Sequence, residues 1–359
     1  MTSKKPAGAK RSAPGAAGST SVAAEVVRWQ RAHGRSGLPW QATRDPYRVW
    51  LSEVMLQQTQ VATVLGYYER FLTRFPAVTD LARASEDEVL GLWSGLGYYS
   101  RARNLHRCAK AVAGEHGGRF PGSAEALRTL PGIGRSTAAA IAAFCFGERI
   151  AILDGNVKRV LSRVLAFEGD LAQAAQEKRL WALAQDLVPA HSADMPAYTQ
   201  GLMDLGATVC LARAPSCLLC PLQPQCEAAR GGEPERFPVR NRKLKRSAQS
   251  LWVLLARRAD GAVWLHKRPS TGIWAGLHCL PVFESAQALQ AALPARASTE
   301  DMAPFVHVLT HKDLHLHPVR VALPARGRFA VEGDWVAAAD WPVLGLPAPV
   351  RRLLESAGD

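Results

Sequence analysis

Four of the seven cysteines stand close together, as Cys210, Cys217, Cys220 and Cys226 in a C-x6-C-x2-C-x5-C arrangement broken by Pro215, Pro221 and Pro224. Thiolates at that spacing can converge on one centre. Structural zinc usually takes two close C-x2-C-like pairs, whereas these uneven intervals suit thiolates wrapping a cube-shaped iron-sulfur cluster from a single loop. Cys108, Cys145 and Cys279 lie in apolar surroundings and read as small hydrophobes.

Two carboxylates are candidates for acid and charge chemistry. Glu53, in Trp50-Leu51-Ser52-Glu53-Val54-Met55-Leu56-Gln57-Gln58-Thr59, shares a helical stripe with Val49 and Leu56 and so points inward. An inward carboxyl is desolvated, which raises its pKa toward the range where it can donate a proton; the competing role is a structural salt bridge with an arginine. Asp154 opens Asp154-Gly155-Asn156-Val157-Lys158-Arg159-Val160, whose apolar positions mark one face of a helix. Taken alone it reads as an N-cap, but a carboxylate at a helix N-terminus also stays ionised, as needed to stabilise a developing cation. Asn156, two residues on, is counted with the catalytic set.

A third signal is Leu130-Pro131-Gly132-Ile133-Gly134 followed by Ser136-Thr137-Ala138-Ala139-Ala140-Ile141. Gly132 and Gly134 let the backbone turn tightly and aim its N–H groups at an oxygen ligand, and the helix that follows adds its positive end, a geometry that cradles phosphate. An isolated P-G-x-G is more often an ordinary helix-to-helix turn. His307, His311, His315 and His317 alternate along a strand pattern and read as a polar face rather than a zinc site.

The elements that must position these groups divide in two. A length of 359 residues suggests two cores, and 48% hydrophobic content can fill them. No apolar run approaches the roughly 20 residues of a membrane-spanning helix. A net charge of +13 points to a polyanionic partner, and seven cysteines without a secretory signal to a reducing compartment. Residues 1–20 carry Lys4, Lys5, Lys10 and Arg11 without an acid and read as a disordered basic tail. Residues 21–228 show helical spacing throughout, with breaks near Pro76, Gly114, Pro121, Pro131 and Pro189. Residues 229–248 form a basic linker, since seven basic and two acidic residues lie between Arg230 and Arg246. Residues 249–359 read as a β-rich domain: strands fall near Leu251–Ala256, Ala262–His266, Leu277–Phe283 and Val306–Leu323, and helices near Ser285–Leu293 and Pro349–Ser356.

The segments Trp50–Val61, Gly95-Leu96-Gly97-Tyr98-Tyr99-Ser100-Arg101, Leu130–Ala140 and Ile152–Val160, with the four cysteines, resemble the MutY family of adenine DNA glycosylases in the endonuclease III, helix-hairpin-helix superfamily. The resemblance covers the whole helical half. It implies a multidomain chain, with an all-α helix-hairpin-helix glycosylase domain carrying a 4Fe-4S cluster loop followed by an α+β Nudix-like domain. It implies further that Glu53 protonates adenine at N7 and activates water, and that Asp154 stabilises the sugar cation or bonds to it transiently. Gln58 and Tyr98 would occupy the space left by a flipped-out adenine. Ser136 stands where endonuclease III-type enzymes have the lysine that attacks the sugar, and a hydroxyl cannot form a Schiff base, so a monofunctional glycosylase is expected. Arg213, in the cysteine loop, is expected at phosphate.

In the second domain, Arg268-Pro269-Ser270-Thr271-Gly272-Ile273-Trp274-Ala275-Gly276-Leu277 resembles the family's Nudix-like domain, which implies that it reads 8-oxoguanine opposite the adenine. Only Glu284 precedes Glu300 after Gly276, too few acids for a magnesium-binding box, so the domain is expected to bind rather than hydrolyse. Thr310 and His311 are the expected readers, in a Leu309-Thr310-His311 string that lacks the aromatic ring of the family's Phe-Ser-His loop. The expected partner is double-stranded DNA with adenine opposite 8-oxoguanine or guanine, bound by a monomer in the bacterial cytoplasm at the nucleoid, with no membrane involved. The alternatives are a bifunctional endonuclease III-like glycosylase and lyase, opposed by Ser136 and the second domain; a non-catalytic DNA-binding protein, opposed by Glu53 and Asp154; and nucleotide hydrolysis by the C-terminal half, opposed by the missing glutamates.

Overall fold

The computed structural model describes residues 21–239, 241, 246–294, 297–323 and 331–356; the basic tail of residues 1–20 lies outside them. Among the described residues twelve α-helices come first: α1 Val22–His33, α2 Pro46–Met55, α3 Val61–Arg74, α4 Val78–Arg83, α5 Glu86–Leu92, α6 Ser100–Glu115, α7 Ala124–Leu127, α8 Arg135–Phe146, α9 Gly155–Val164, α10 Ala174–Asp186, α11 Met195–Thr208 and α12 Glu227–Arg230. Many boundaries follow local chemistry. Asp45 caps α2 through the Tyr47 N–H with Pro46 at the first helical position, and Ser21, Ser85, Ser123 and Asp154 cap α1, α5, α7 and α9. Gly114 does not break its helix: α6 runs through it to Glu115, where a glycine in the last turn costs little of the hydrogen-bond ladder.

The helices form two lobes around α8. Ala138, Ile141 and Ala142 face one core, built on α2 to α7, while Ala139, Ala140 and Ala143 face the other, built on α1 and α9 to α11. Alanine on both sides lets neighbours approach closely, so a helix buried all round can serve two cores at once. The chain's first helix thus belongs to the second lobe, where α1 packs on α11. Residues past α12 return to the same lobe: Phe237 is buried and its carbonyl accepts from Arg163 Nε.

The C-terminal part is a mixed sheet with two helices. Its elements are β1 Ser247–Arg258, β2 Val263–Lys267, β3 His278–Cys279, β4 Val282–Phe283, α13 Ala286–Ala291, β5 Thr299–Asp301, β6 Phe305–Val308, β7 Lys312–Leu323, β8 Asp334–Val336 and α14 Ala348–Ser356. The strand order is β3-β2-β1-β7-β5, with β1 and β7 parallel over Ser247↔Lys312 to Arg258↔Leu323. Parallel central strands are covered on both faces. Leu251, Val253 and Leu255 pack with Val350, Leu353 and Leu354 of α14, and Leu254 and Ala256 with Leu289 of α13. In β7, His315 and His317 alternate with buried Leu314 and Leu316, as a polar face requires. In β6 the pattern is inverted: Val306 and Val308 are exposed while His307 turns inward toward the Trp274 ring.

The two parts pack together through α5 and the loop before α6. Leu277 is buried in the first helical core. A Cβ on Gly91 would lie 2.1 Å from the Val343 carbonyl oxygen, so only glycine allows α5 to meet the segment before α14. Lys267 pairs with Asp87 at 2.6 Å across the same junction. Among the described residues no helix is long and apolar enough to cross a membrane.

Candidate active site

A cleft of about 1570 Å³ opens between the two helical lobes and is lined by Glu53, Gln58, Ser136, Asp154 and Asn156. These residues are up to about a hundred positions apart in sequence. Helix α2 brings Glu53 from the first lobe, α8 brings Ser136 in its first turn, and the start of α9 brings Asp154 and Asn156 from the second.

The two carboxyls differ in their surroundings. Asp154 Oδ1 accepts the Val157 N–H at 2.7 Å and caps α9, and Arg159 and Lys158 lie close enough to favour its charge. Its burial works in the opposite sense and is the largest influence, so the carboxyl sits above its ordinary range rather than being held simply ionised by the helix end. Glu53 has no hydrogen bond or ion pair with a described residue, which rules against the salt-bridge role. Burial, and then the nearby Asp154, push its pKa up to about 8. Glu53 still keeps partial exposure to the cleft, as a group that must meet a ligand needs. Of the pair, Glu53 holds the proton at neutral pH, while Asp154 has the N–H donors and nearby cations that favour charge, set against its burial.

The other residues sort by place. Asn156 Oδ1 accepts from Arg159 at 2.8 Å, and Gly206 of α11 lies so close to Asn156 that a Cβ there would clash. Gln58 has a left-handed backbone, φ 58°, just past α2, and Tyr98 another, φ 47°, just before α6. Tyr98 is outside the cleft lining; its ring is exposed and its hydroxyl lies 2.9 Å from Thr310 Oγ1, so the structure joins two expected DNA contacts 212 positions apart. Thr310 and His311 form the exposed β6–β7 turn, whose carbonyls at Leu309 and Thr310 accept from Arg246.

The hairpin lies beside the cleft. Gly132 has φ 75° and no room for a Cβ, which would fall 2.5 Å from Asn104 Cβ. Gly134 has an ordinary backbone, φ −80°, and caps α8, so its small size leaves open space above the helix N-terminus and is not a conformational need.

The four clustered cysteines are free and half-buried at the end of the second lobe. Arg163 Nη1 donates to Cys210 Sγ at 3.3 Å, and its Nη1 and Nη2 also hold the Leu211 and Ala212 carbonyls of the loop. Burial lifts Cys220 up to about 11, and the three other thiols add to the shift, which places all four sulfurs within electrostatic reach of one another. Among the described residues, no three His, Cys, Asp or Glu side chains are arranged to hold a metal ion. Arg213 is exposed on this loop, away from the cleft.

Residue types alone did not reveal Arg101. It is buried at 8% exposure and binds the loops on which both Gln58 and Tyr98 sit. The only signal was its place in the Gly95–Arg101 string.

The family model for the HhH-GPD superfamily of base excision DNA repair proteins matches residues 51–186, and a NUDIX domain model matches 252–356. An adenine DNA glycosylase of Buchnera aphidicola (subsp. Acyrthosiphon pisum) is 36% identical over 338 residues, covering 92% of this chain and 96% of that protein. The human adenine DNA glycosylase is 45% identical over 228 residues, 61% of this chain and 41% of the human one. The helical part also resembles the solved structure of a thermostable thymine-DNA glycosylase, with TM-score 0.52 and 29% identity over 58% of this chain and 95% of that one. The fold is thus that of a helix-hairpin-helix base-excision glycosylase, a hydrolase. The chain belongs to the adenine DNA glycosylase family.

Proposed function

We propose that this enzyme hydrolyses the N-glycosidic bond of adenine paired with 8-oxoguanine or guanine in double-stranded DNA. The observation that carries this reading is the carboxyl pair in the cleft, one group without a hydrogen-bond partner among the described residues and raised to about 8, the other capping a helix. Glu53, as the acid, delivers its proton to the adenine ring. The C1′–N9 electron pair leaves with the protonated base, and Asp154, as carboxylate, faces the resulting sugar cation. Glu53, now a carboxylate, takes a proton from the water that adds to C1′, which restores the acid. Gln58 and Tyr98 fill the gap in the stack, and the Gly132 to Gly134 hairpin and Arg213 hold phosphates.

Ser136, at the cleft wall, offers no amine for a Schiff base, so the product retains an intact abasic strand. Lys158 lies near Asp154 but is ion-paired with Glu177. In the second domain, Thr310 and His311 read the base opposite. The helix after Glu284, α13, carries no acid, which fits binding over hydrolysis.

Cys210, Cys217, Cys220 and Cys226 would hold a 4Fe-4S cluster. Four free, half-buried thiols close to one another, with the Arg163 guanidinium beside Cys210, fit a negatively charged cluster wider than a single ion. When bound, the cluster would supply structural cross-linking of the loop that presents Arg213, and no step of hydrolysis depends on it.

The test is adenine release from duplexes with adenine opposite 8-oxoguanine or opposite thymine. Release from the first and little from the second, without strand scission before alkali, is expected; pyrimidine release with scission would overturn the reading. Iron analysis should give about four atoms per chain, and one zinc without iron would overturn the cluster.

A further inference from the structure

Two strained residues, one on the cleft lining and one outside it, are held by a single buried side chain. Gln58 and Tyr98 are left-handed, at φ 58° and 47°, a conformation that L residues other than Asn or Asp adopt at a cost and keep only where surroundings enforce it. Arg101, in the first turn of α6, supplies that enforcement. Its Nη1 donates to the carbonyls of Val54, Met55 and Gln57 at 3.0, 2.8 and 2.6 Å. Its Nη2 donates to Thr59 Oγ1 at 3.1 Å and to the carbonyls of Leu96 and Gly97 at 3.2 and 3.3 Å.

The peptide before each strained residue, at Gln57 and at Gly97, is therefore tied to one guanidinium. The Val54 and Met55 carbonyls belong to the last turn of α2, the helix that carries Glu53, where orphan carbonyls favour a cation. The guanidinium also lies 5.3 Å from the Trp93 ring centre and 5.4 Å from that of Tyr98. A planar fork reaches six acceptors, two at the end of α2 and four on two loops, whereas a lysine ammonium would be a single point with three donors.

The outer side of the same loop is gripped by the second domain. Tyr99 Oη donates to the Leu346 carbonyl at 2.8 Å, and Arg351 Nε donates to Ser94 Oγ at 3.1 Å. The loop with Tyr98 thus lies between the C-terminal domain and Arg101, and Arg101 continues the chain of contacts to the Glu53 helix.

We propose that Arg101 is a positioning residue that clamps Gln58 and Tyr98 in register with the Glu53 helix, so that base extrusion and placement of the acid depend on one buried guanidinium. This rests on the reading in which Gln58 and Tyr98 fill the space left by the adenine. Arg101 touches no reacting atom; its effect passes through the two loops.

The full-length protein tests it with Arg101→Lys, the pair Gln58→Gly and Tyr98→Gly, and the combination of all three. Extrusion is read as fluorescence of 2-aminopurine at the adenine position, excision as single-turnover adenine release, and folding as thermal unfolding. Arg101→Lys should lower both extrusion and release by about tenfold, the middle of the range for residues coupled in one network. In the double-glycine background the same substitution should cost extrusion less than about threefold, because the side chains it positions are gone. Equal costs in both backgrounds, or full activity of Arg101→Lys, would overturn the clamp. If the two glycine substitutions alone leave extrusion unchanged, the gap-filling reading fails, and the clamp with it. Should Arg101→Lys not fold, Thr59→Val removes one contact of the guanidinium and should lower extrusion in the same direction; unchanged extrusion in that variant would count against the clamp.

Discussion

The cleft and the β6–β7 turn are both expected to meet the mispair, yet they are built in opposite ways. In the cleft, Glu53 and Asp154 are set on packed helices of different lobes, with α8 buried between the two cores that support them. At the turn, Thr310 and His311 are exposed, and among the described residues the ties are a hydroxyl contact to Tyr98, two backbone hydrogen bonds (Leu309 N–H to Lys312 O and Ser247 N–H to His311 O) and the Arg246 contacts to carbonyls. Bond breaking needs charges held in place before substrate arrives, because reorganising them during the reaction would raise the barrier. Reading a base tolerates looser groups that complete their hydrogen bonds on the ligand. Damage to the cleft should therefore abolish the rate, whereas damage to the turn should alter only the choice of duplex.

The sharpest break between the regions is Glu53→Gln, which keeps the volume and removes the proton. It should lower single-turnover release by about 10³-fold or more while mismatch binding persists. Adenine release near the wild-type rate would remove Glu53 from the chemistry. Asp154→Asn should cost about 10²- to 10³-fold through loss of the charge facing the cation, and undiminished excision would leave Asp154 as a helix cap only. Replacing Thr310 and His311 together with Ala should reduce the binding preference for 8-oxoguanine over guanine by about tenfold, since one good base contact discriminates by roughly 1–3 kcal/mol. The release rate once adenine is bound should barely move. An unchanged preference ratio would make the second domain a general clamp.

Stability offers a smaller test. Glu53 has a folded pKa of about 8, above its ordinary 4.5, so the native state keeps a proton that the unfolded chain has already lost across that window. Its contribution is full below about 4.5 and is lost as pH rises through about 8. Glu53→Gln should therefore gain melting temperature relative to wild type between about pH 5 and pH 9. A difference that is flat with pH would show that the carboxyl is not raised.

Local chemistry made much of this visible in advance. Periodicity marked Glu53 as inward, the cap pattern set Asp154 at the head of α9, and alternation found β1, β2 and most of β7 along with both C-terminal helices. What stayed hidden depends on distant partners. Arg101 is held by carbonyls more than forty positions away, and carbonyls leave no mark in a sequence. Strand β5, Thr299–Asp301, is polar and exposed at the sheet edge, so it has no apolar rhythm. The inward His307 with Val306 and Val308 outside reverses the rule on which the polar face was drawn, because Trp274 offers that imidazole a ring to lie against. That α1 belongs to the second lobe could be known only from α11, some 170 residues further on.

In the proposed reaction the cleft works because Glu53 holds a proton at neutral pH. The direct measurement is single-turnover adenine release from the 8-oxoguanine duplex as a function of pH, under conditions of saturating enzyme. The rate should fall about tenfold per unit above an inflection near 8, as Glu53 loses its proton. A rate that stays level well above that pH, or rises through it, would contradict a proton donated by Glu53.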